Sequence, residues 1–432
     1  MTQHFRGLSI AAFLIGYPAL SSAAGALPTS PEVAGVPVEF LLFAGTLLGV
    51  ALFHSKTLAV ALSGLTAIAS YKIAYTGFKT GAGVPGLMSH LTHEWVILTN
   101  LLGLLLGFAI LSRHFEKSRV PVILPRYLPT DWKGGFFLLL LVWAMSGFLD
   151  NIAAALIGGA MAHQLFQARV HIGYLAAIVA ASNAGGAGSV VGDTTTTMLW
   201  IAGVSPLAVA PAYLASFVAV LLVAYVGAHQ QHAYSPILQR SHEHTRVDAA
   251  RIGIVGLMLL SAIVTNVVVN LNFPAQAGNF PFIGAAVWIA ILATMAIRRH
   301  DWEILPDAFK GSLFLLALVL CASMMPVEKL PPASWQTTLG LGFISAVFDN
   351  IPLTALALKQ GGYDWGLLAY AVGFGGSMLW FGSSAGVALS NMYPEARSVG
   401  LWLRHGWYVA IAYVLGFAVM LAVLGWQPTP IR

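Results

Sequence analysis

The sequence predicts an all-α polytopic membrane protein, and three observations carry that prediction. Of the 432 residues, 58% are hydrophobic and 9% charged, whereas soluble domains carry about 25% charged residues; the mean hydropathy is +0.79. The phrase Ser-x-x-x-Asp-Asn-Ile occurs twice, at Ser146–Ile152 and Ser345–Ile351, each inside sequence apolar enough to cross a bilayer. A carboxylate at that depth costs a few kcal/mol or more and is a functional candidate by default. Two other apolar segments, 170–204 and 365–393, are interrupted by Gly and Ser at their centres. Irregular backbone is tolerated at membrane depth only where protein or a water-filled cavity surrounds it, so these segments read as re-entrant helical hairpins.

The elements follow in order. Residues 1–26 have Arg6, an apolar run from Leu8 to Leu20 and Ala24-Gly25-Ala26. That is the pattern of a cleaved secretory signal, with an uncleaved first helix as the alternative. Apolar runs predict helices near 37–54, 57–76, 94–112, 134–164, 205–228, 251–271, 281–297, 311–325, 335–359 and 403–425. The 134–164 run would form a helix of roughly 46 Å at about 1.5 Å per residue, against a hydrocarbon core of about 30 Å. A break at Leu149-Asp150-Asn151 absorbs the excess and frees backbone groups for a ligand. In the second copy Pro352 removes a backbone donor just after the motif and favours a kink. Glu39 and Glu94 fall at predicted span ends and read as interfacial, and Lys72 can snorkel to the surface.

Basic residues give orientation. Arg113, Lys117, Arg119, Arg126 and Lys133 precede the first Asp-Asn span, which places that loop in the cytoplasm. Counting forward puts Arg240 and Arg246, then Arg298, Arg299 and Lys310, then Arg397 and Arg404, on the same side. The opposite loops are nearly bare of basic residues, 272–280 having none and 326–334 only Lys329. The two Asp-Asn spans then cross in opposite directions, and the hairpins enter from opposite faces. The organisation expected is an inverted repeat: 37–228 with hairpin 170–204, a cytoplasmic loop 229–250, and 251–425 with hairpin 365–393. The site of such a repeat lies near the midplane between discontinuous helices. A bacterial-type inner membrane is the expected location. The net charge of +5 resides in these loops and argues for membrane orientation, not nucleic acid. The single Cys321 excludes a disulfide framework and a cysteine-rich metal site. His229, His232, His242 and His244 read as a solvated loop, with no resident metal and no cofactor.

The polar residues concentrate at the hairpin tips. The first tip carries Ser182, Asn183, Gly192, Asp193, Thr195 and Thr196; the second carries Ser377, Ser383 and Ser384. Aligning Gly173-Tyr-Leu-Ala176 with Gly366-Leu-Leu-Ala369 pairs Asp193 with Gly386. Any single glycine here suits close helix packing, but a carboxylate followed by four threonines does not. The core acids are Asp150, Asp193 and Asp349, with Asn151, Asn183 and Asn350 as oxygen donors and Ser146 and Ser345 supporting. No Lys or Arg precedes Lys359 in either Asp-Asn span or lies inside either hairpin. Unpaired carboxylates with hydroxyl and amide oxygens suit a small hard cation or a proton, in mutual exclusion.

On Ser146, Asp150-Asn151, Asn183-Ala-Gly-Gly186, Gly192-Asp193-Thr194-Thr195-Thr196, Ser345, Asp349-Asn350 and Gly382-Ser-Ser-Ala-Gly386, the chain resembles the ion transporter superfamily, and within it the NhaD-type sodium/proton antiporters. The resemblance covers most of the chain from about residue 37. It implies scaffold helices that carry a homodimer interface, a moving unit of hairpins and Asp-Asn helices, and Na⁺ or Li⁺ and H⁺ as transported ions. Departures are Ala109-Ile-Leu-Ser112, where those antiporters usually carry a glutamate, and Ala153 after the first Asp-Asn. The expected activity is cation/proton antiport by alternating access. The alternative of the same superfamily is cation-coupled transport of a small anion, a carboxylate (citrate or dicarboxylate) or an oxyanion. A channel or a purely structural membrane protein is a third class. No motif places a nucleophile beside a base, so an enzyme is not expected.

Overall fold

The computed structural model describes residues 31–53, 56–189, 191–237, 246–273 and 276–430. The 1–26 segment lies outside them, as do Arg240, His242 and His244 of the 229–250 loop. A two-residue antiparallel pair, Glu32–Val33 with Val36–Pro37, precedes the first helix. The helices then run α1 Val38–Leu52, α2 Thr57–Tyr71, α3 Gly83–Lys117, α4 Val120–Ile123, α5 Trp132–Ser146, α6 Asn151–Leu165, α7 Ile172–Ala187, α8 Thr194–Ile201, α9 Pro206–Val209 and α10 Ala212–Tyr234. They continue as α11 Ala249–Asn272, α12 Phe282–Thr294, α13 Leu305–Ser323, α14 Trp335–Ser345, α15 Asn350–Gln360, α16 Trp365–Gly375, α17 Ser384–Met392, α18 Val399–Gly406 and α19 Tyr408–Leu424. Among the described residues five helical stretches are long and apolar enough to cross a membrane, or six with the pair α18–α19, bent by 55°. The chain is an all-α, multi-pass membrane protein.

The helices pack in two groups. One gathers α1, α2, α11, α12 and α13 around the long α3; the other gathers α5, α10, α14, α16 and α19 around α7. Helices α6, α8, α15 and α17 lie along the boundary, α15 against α13 and α8, and α6 against α17 and α7. Every residue of α7 from Gly173 to Ala187 is buried, and so is all of α16. A helix apolar all round must be enclosed by protein, and this enclosure permits the interrupted backbone that follows each one. Buried tyrosines tie the second group together. The Tyr370 hydroxyl donates to the Tyr413 carbonyl at 3.0 Å, Tyr408 to Gly173 at 2.6 Å and Tyr174 to Gly135 at 2.7 Å.

Helix α3 begins eleven residues before the predicted 94–112 span, at Gly83. In this added stretch His90 is buried, while Ser89, Thr92 and His93 are exposed. His90 Nε2 meets Ser323 Oγ at 2.9 Å, and Glu94 is 3% exposed and pairs with Lys359 of α15. Glu94 is therefore enclosed by protein. Glu39 is likewise fully buried, and Lys72 does not snorkel: it lies 5.5 Å from the Phe78 ring and lines a cavity with His90 and Glu94. The opposite charges joining α3 and α15 offset part of the cost of burying the Glu94 carboxylate.

Candidate functional site

Both Asp-Asn segments are built the same way. Helix α5 ends at Ser146 and α6 starts at Asn151; α14 ends at Ser345 and α15 starts at Asn350. Asp150 is the N-cap of α6, with φ −55° and ψ 143°, and accepts from the Ile152 N–H at 3.2 Å. Asp349 is the N-cap of α15, with φ −53° and ψ 144°, and accepts from Ile351 N–H at 3.1 Å. Aspartate suits an N-cap because its oxygen satisfies a backbone donor left over at the helix start. Each acid thus holds a helix end at the break through one carboxylate oxygen. In the second copy Ser384 Oγ donates to Asp349 Oδ2 at 2.9 Å.

The tips of the two interrupted segments close against these breaks. A side chain at Gly192 would overlap the Ser146 carbonyl, and one at Gly382 would overlap the Ala346 carbonyl. Glycine is needed at both because only a bare Cα allows that approach. The next residue is in each case the N-cap of a helix, Asp193 for α8 and Ser383 for α17. By position at the tip Asp193 therefore corresponds to Ser383, not Gly386, because α16, with 11 residues, is five shorter than α7, with 16, while the connection after it is two residues longer. Ser383 uses its hydroxyl to cap Gly386 N–H at 3.3 Å. The Asp193 side chain makes no such cap bond.

Instead the Asp193 carboxylate faces the two asparagines. Asn151 Nδ2 donates to Oδ1 at 3.1 Å, and Asn350 Nδ2 donates to Oδ1 at 3.3 Å and Oδ2 at 3.2 Å. Asn151 also donates to Asn183 Oδ1 at 3.0 Å, and Asn183 donates to Ser377 Oγ at 2.9 Å and Ser383 Oγ at 3.1 Å. One hydrogen-bonded chain thus links both Asp-Asn helices and both tips, with Asp193 at its centre and 1% exposed. Thr196 Oγ1 donates to the Asp193 carbonyl at 2.9 Å. Thr195 is fully buried beside it but does not share that bond.

Other predicted residues stand outside the chain. Ser182 Oγ donates to Val179 O at 2.9 Å and Ser345 Oγ to Val372 O at 2.7 Å, both backbone ties. The Ser146 hydroxyl is buried without a partner. The three acids do not converge on a single point: among the described residues no three His, Cys, Asp or Glu side chains lie close enough to hold one metal ion together.

Two cavities adjoin here, and the first reaches the network. One of about 410 Å³ is lined by Asp150, Asn151, Asp193, Thr194 and Asn350 and extends to Ser112 and Asp307. The other, about 550 Å³, is lined by Asp349 and shares Ile152, Asp307, Gly311, Phe314 and Ser384 with the first. Four aspartates and no Lys or Arg line the pair. Asp307, at the start of α13, was not among the residues singled out from the sequence. It sits in an exposed, charged first turn, paired with Lys310 at 3.0 Å, and only the folded cavity links it to the buried acids.

No family model matches the chain. It is similar to curated proteins, however. Sodium/proton antiporter 1 of Arabidopsis thaliana is 26% identical over 351 residues, 73% of this chain and 58% of that protein. Na(+)/H(+) antiporter NhaD of Vibrio parahaemolyticus is 27% identical over 345 residues, 68% of this chain and 80% of that protein. The protein of the same name from Alkalimonas amylolytica is 28% identical over 343 residues, 68% of each chain. The chain thus spans little more than half the length of the plant relative. Over about two thirds or more of its own length, it is similar to NhaD-type and plant sodium/proton antiporters, which are transporters and not enzymes.

Proposed function

We propose that this protein is a secondary active transporter that exchanges Na⁺ or Li⁺ for H⁺ by alternating access, in a bacterial-type inner membrane. The observation that carries the reading is Asp193: a buried carboxylate, bound by an asparagine from each Asp-Asn helix, in a cavity whose charged lining residues are all acids. Cation and proton then compete for it. With a cation bound, rotation of the Asn151 and Asn350 amides turns their oxygens inward, and Thr195, Thr196 and Asn183 complete the oxygen set. Asp150 and Asp349 flank the site and supply further negative charge on the approach. Ser146, Ser182, Ser345, Ser377, Ser383 and Ser384 hold the breaks and tips in register. Carriers of carboxylates or oxyanions call for basic residues, and no Lys or Arg lines either cavity.

In the same reading the two halves are an inverted repeat. Segments 170–204 and 365–393 are re-entrant, and the helices around α3 carry a homodimer interface. The cavities reach Ser112 and Asp307, at the ends nearest the basic loops, which makes this the inward-open state. The test is dye-reported ΔpH in everted membrane vesicles. Sodium or lithium added between about pH 7 and 9 collapses the gradient if the reading holds; failure of both cations to do so overturns it.

A further inference from the structure

Away from the acidic cavities, a separate cavity of about 780 Å³ opens between the end of α3, the start of α11 and the turn after α12. Lys117, Arg119, Arg246, Arg251 and Arg298 line it, against the single carboxylate of Asp248. That carboxylate is already shared by Arg298 Nε at 3.2 Å and Arg251 Nε at 3.5 Å. Lys117 turns to Asp301 at 2.5 Å. Among the described residues the side chains of Arg119 and Arg246 make no ion pair, so the cavity holds an excess of positive charge.

Its walls are fixed by the backbone. Arg119 has φ +66°, a left-handed conformation uncommon for a residue with a side chain. The Asp248 N–H donates to the Ser118 carbonyl at 3.0 Å, which ties the end of α3 to the start of α11. Ser118 Oγ accepts from the Val120 N–H at 3.3 Å. Strained residues persist where surrounding structure over-determines them, and they cluster at ligand clamps. The first turn of α11, a 24-residue helix, adds the positive end of its dipole.

Apolar surface begins immediately beside the charges. Val247 lines the cavity and is 43% exposed, and Ile252 and Ile297, next to Arg251 and Arg298 in sequence, are 39% and 54% exposed. Farther along α11, Leu257, Leu260 and Val264 are exposed as well. Arginine forks above a greasy helix face suit a molecule with an anionic phosphate head and apolar tails. We propose that this cavity is a binding site for the phosphate headgroup of an anionic phospholipid, whose acyl chains lie on the outward face of α11. It is independent of the ion site.

The test titrates the purified full-length protein in detergent with phosphatidylglycerol, phosphatidylcholine or inorganic phosphate and follows the Tm. Phosphatidylglycerol raises the Tm, and the other two do not. In Arg119→Asn combined with Arg246→Gln, the half-maximal phosphatidylglycerol concentration rises roughly 30-fold, the ratio set by about 1 kcal/mol for each basic residue removed. Lys133→Gln, an exposed basic residue outside the cavity, leaves it unchanged. Equal stabilisation by phosphatidylcholine, an unshifted titration in the double variant, or an equal shift in Lys133→Gln overturns the site. A matching effect of inorganic phosphate overturns the lipid and assigns the cavity to a free anion.

Discussion

Replacing Asp193 by Asn removes one unit of charge while keeping the shape of the side chain. The attraction between a carboxylate and a cation 4 Å away is about 4 kcal/mol at an effective dielectric of about 20, or roughly a thousandfold in affinity. The structural effect is far smaller. The amide retains one acceptor oxygen for Asn151 or Asn350, so the variant forfeits about one hydrogen bond, about 1 kcal/mol net. No Lys or Arg lines the cavity to be left uncompensated. Asp193→Asn is therefore expected to abolish sodium-dependent ΔpH collapse in everted vesicles at all practical sodium concentrations. Its Tm stays within about 4 °C of the parent, the scale that 1 kcal/mol sets in a large domain. Exchange with a half-saturating sodium concentration within tenfold of the parent refutes the reasoning. Loss of exchange together with a Tm fall above about 10 °C does so too, because it makes the carboxylate a structural group.

Three further outcomes follow from the geometry. Lys359→Met leaves the buried Glu94 carboxylate without its partner and should destabilise by about 1–3 kcal/mol, whereas Lys359→Met with Glu94→Gln recovers most of the loss; denaturant midpoints of the two variants check this. Asp307→Asn, at the cavity mouth, should raise the half-saturating sodium concentration about two- to fivefold at low salt with an unchanged maximal rate, an effect that shrinks as ionic strength rises. Asp301 is held below the usual carboxylate range by its hydrogen bond from Lys117. Its stabilising effect is thus complete above about pH 4, the unfolded value, and is lost as pH falls through the lower folded value. The Tm difference between the parent and Asp301→Asn should be constant from pH 7 to 5 and close toward pH 3.

Much of this arrangement was readable from the chain because membrane burial makes polar residues conspicuous. Asp150, Asp193 and Asp349 stand out in apolar sequence, and the network joins Asp193 to the asparagines that follow the other two and to polar residues of both tips. The asparagines were expected to offer oxygens, but in this state Asn151 and Asn350 turn their N–H groups to Asp193. Side-chain amides carry donor and acceptor alike, and only the fold fixes which one points inward. The equivalence of Asp193 with Ser383 was hidden because the first helices of the two segments align at one register and their tips at another. Glu94 and Lys359 are 265 residues apart, and nothing local to either one signals the pairing that accompanies burial of the Glu94 carboxylate. Asp307 was missed for the opposite reason: in sequence it is an ordinary acid in the first turn of a helix, and its place at a cavity mouth depends on how α13 packs.

The most direct measurement is uptake of radioactive sodium into proteoliposomes holding the purified protein, with an acid interior and no other driving gradient. Sodium should accumulate above its external concentration in proportion to the imposed proton gradient, should stop when an ionophore collapses that gradient, and should be absent with Asp193→Asn. Sodium entry that equilibrates without regard to the pH difference, or accumulation that survives in Asp193→Asn, contradicts proton-coupled exchange at this carboxylate.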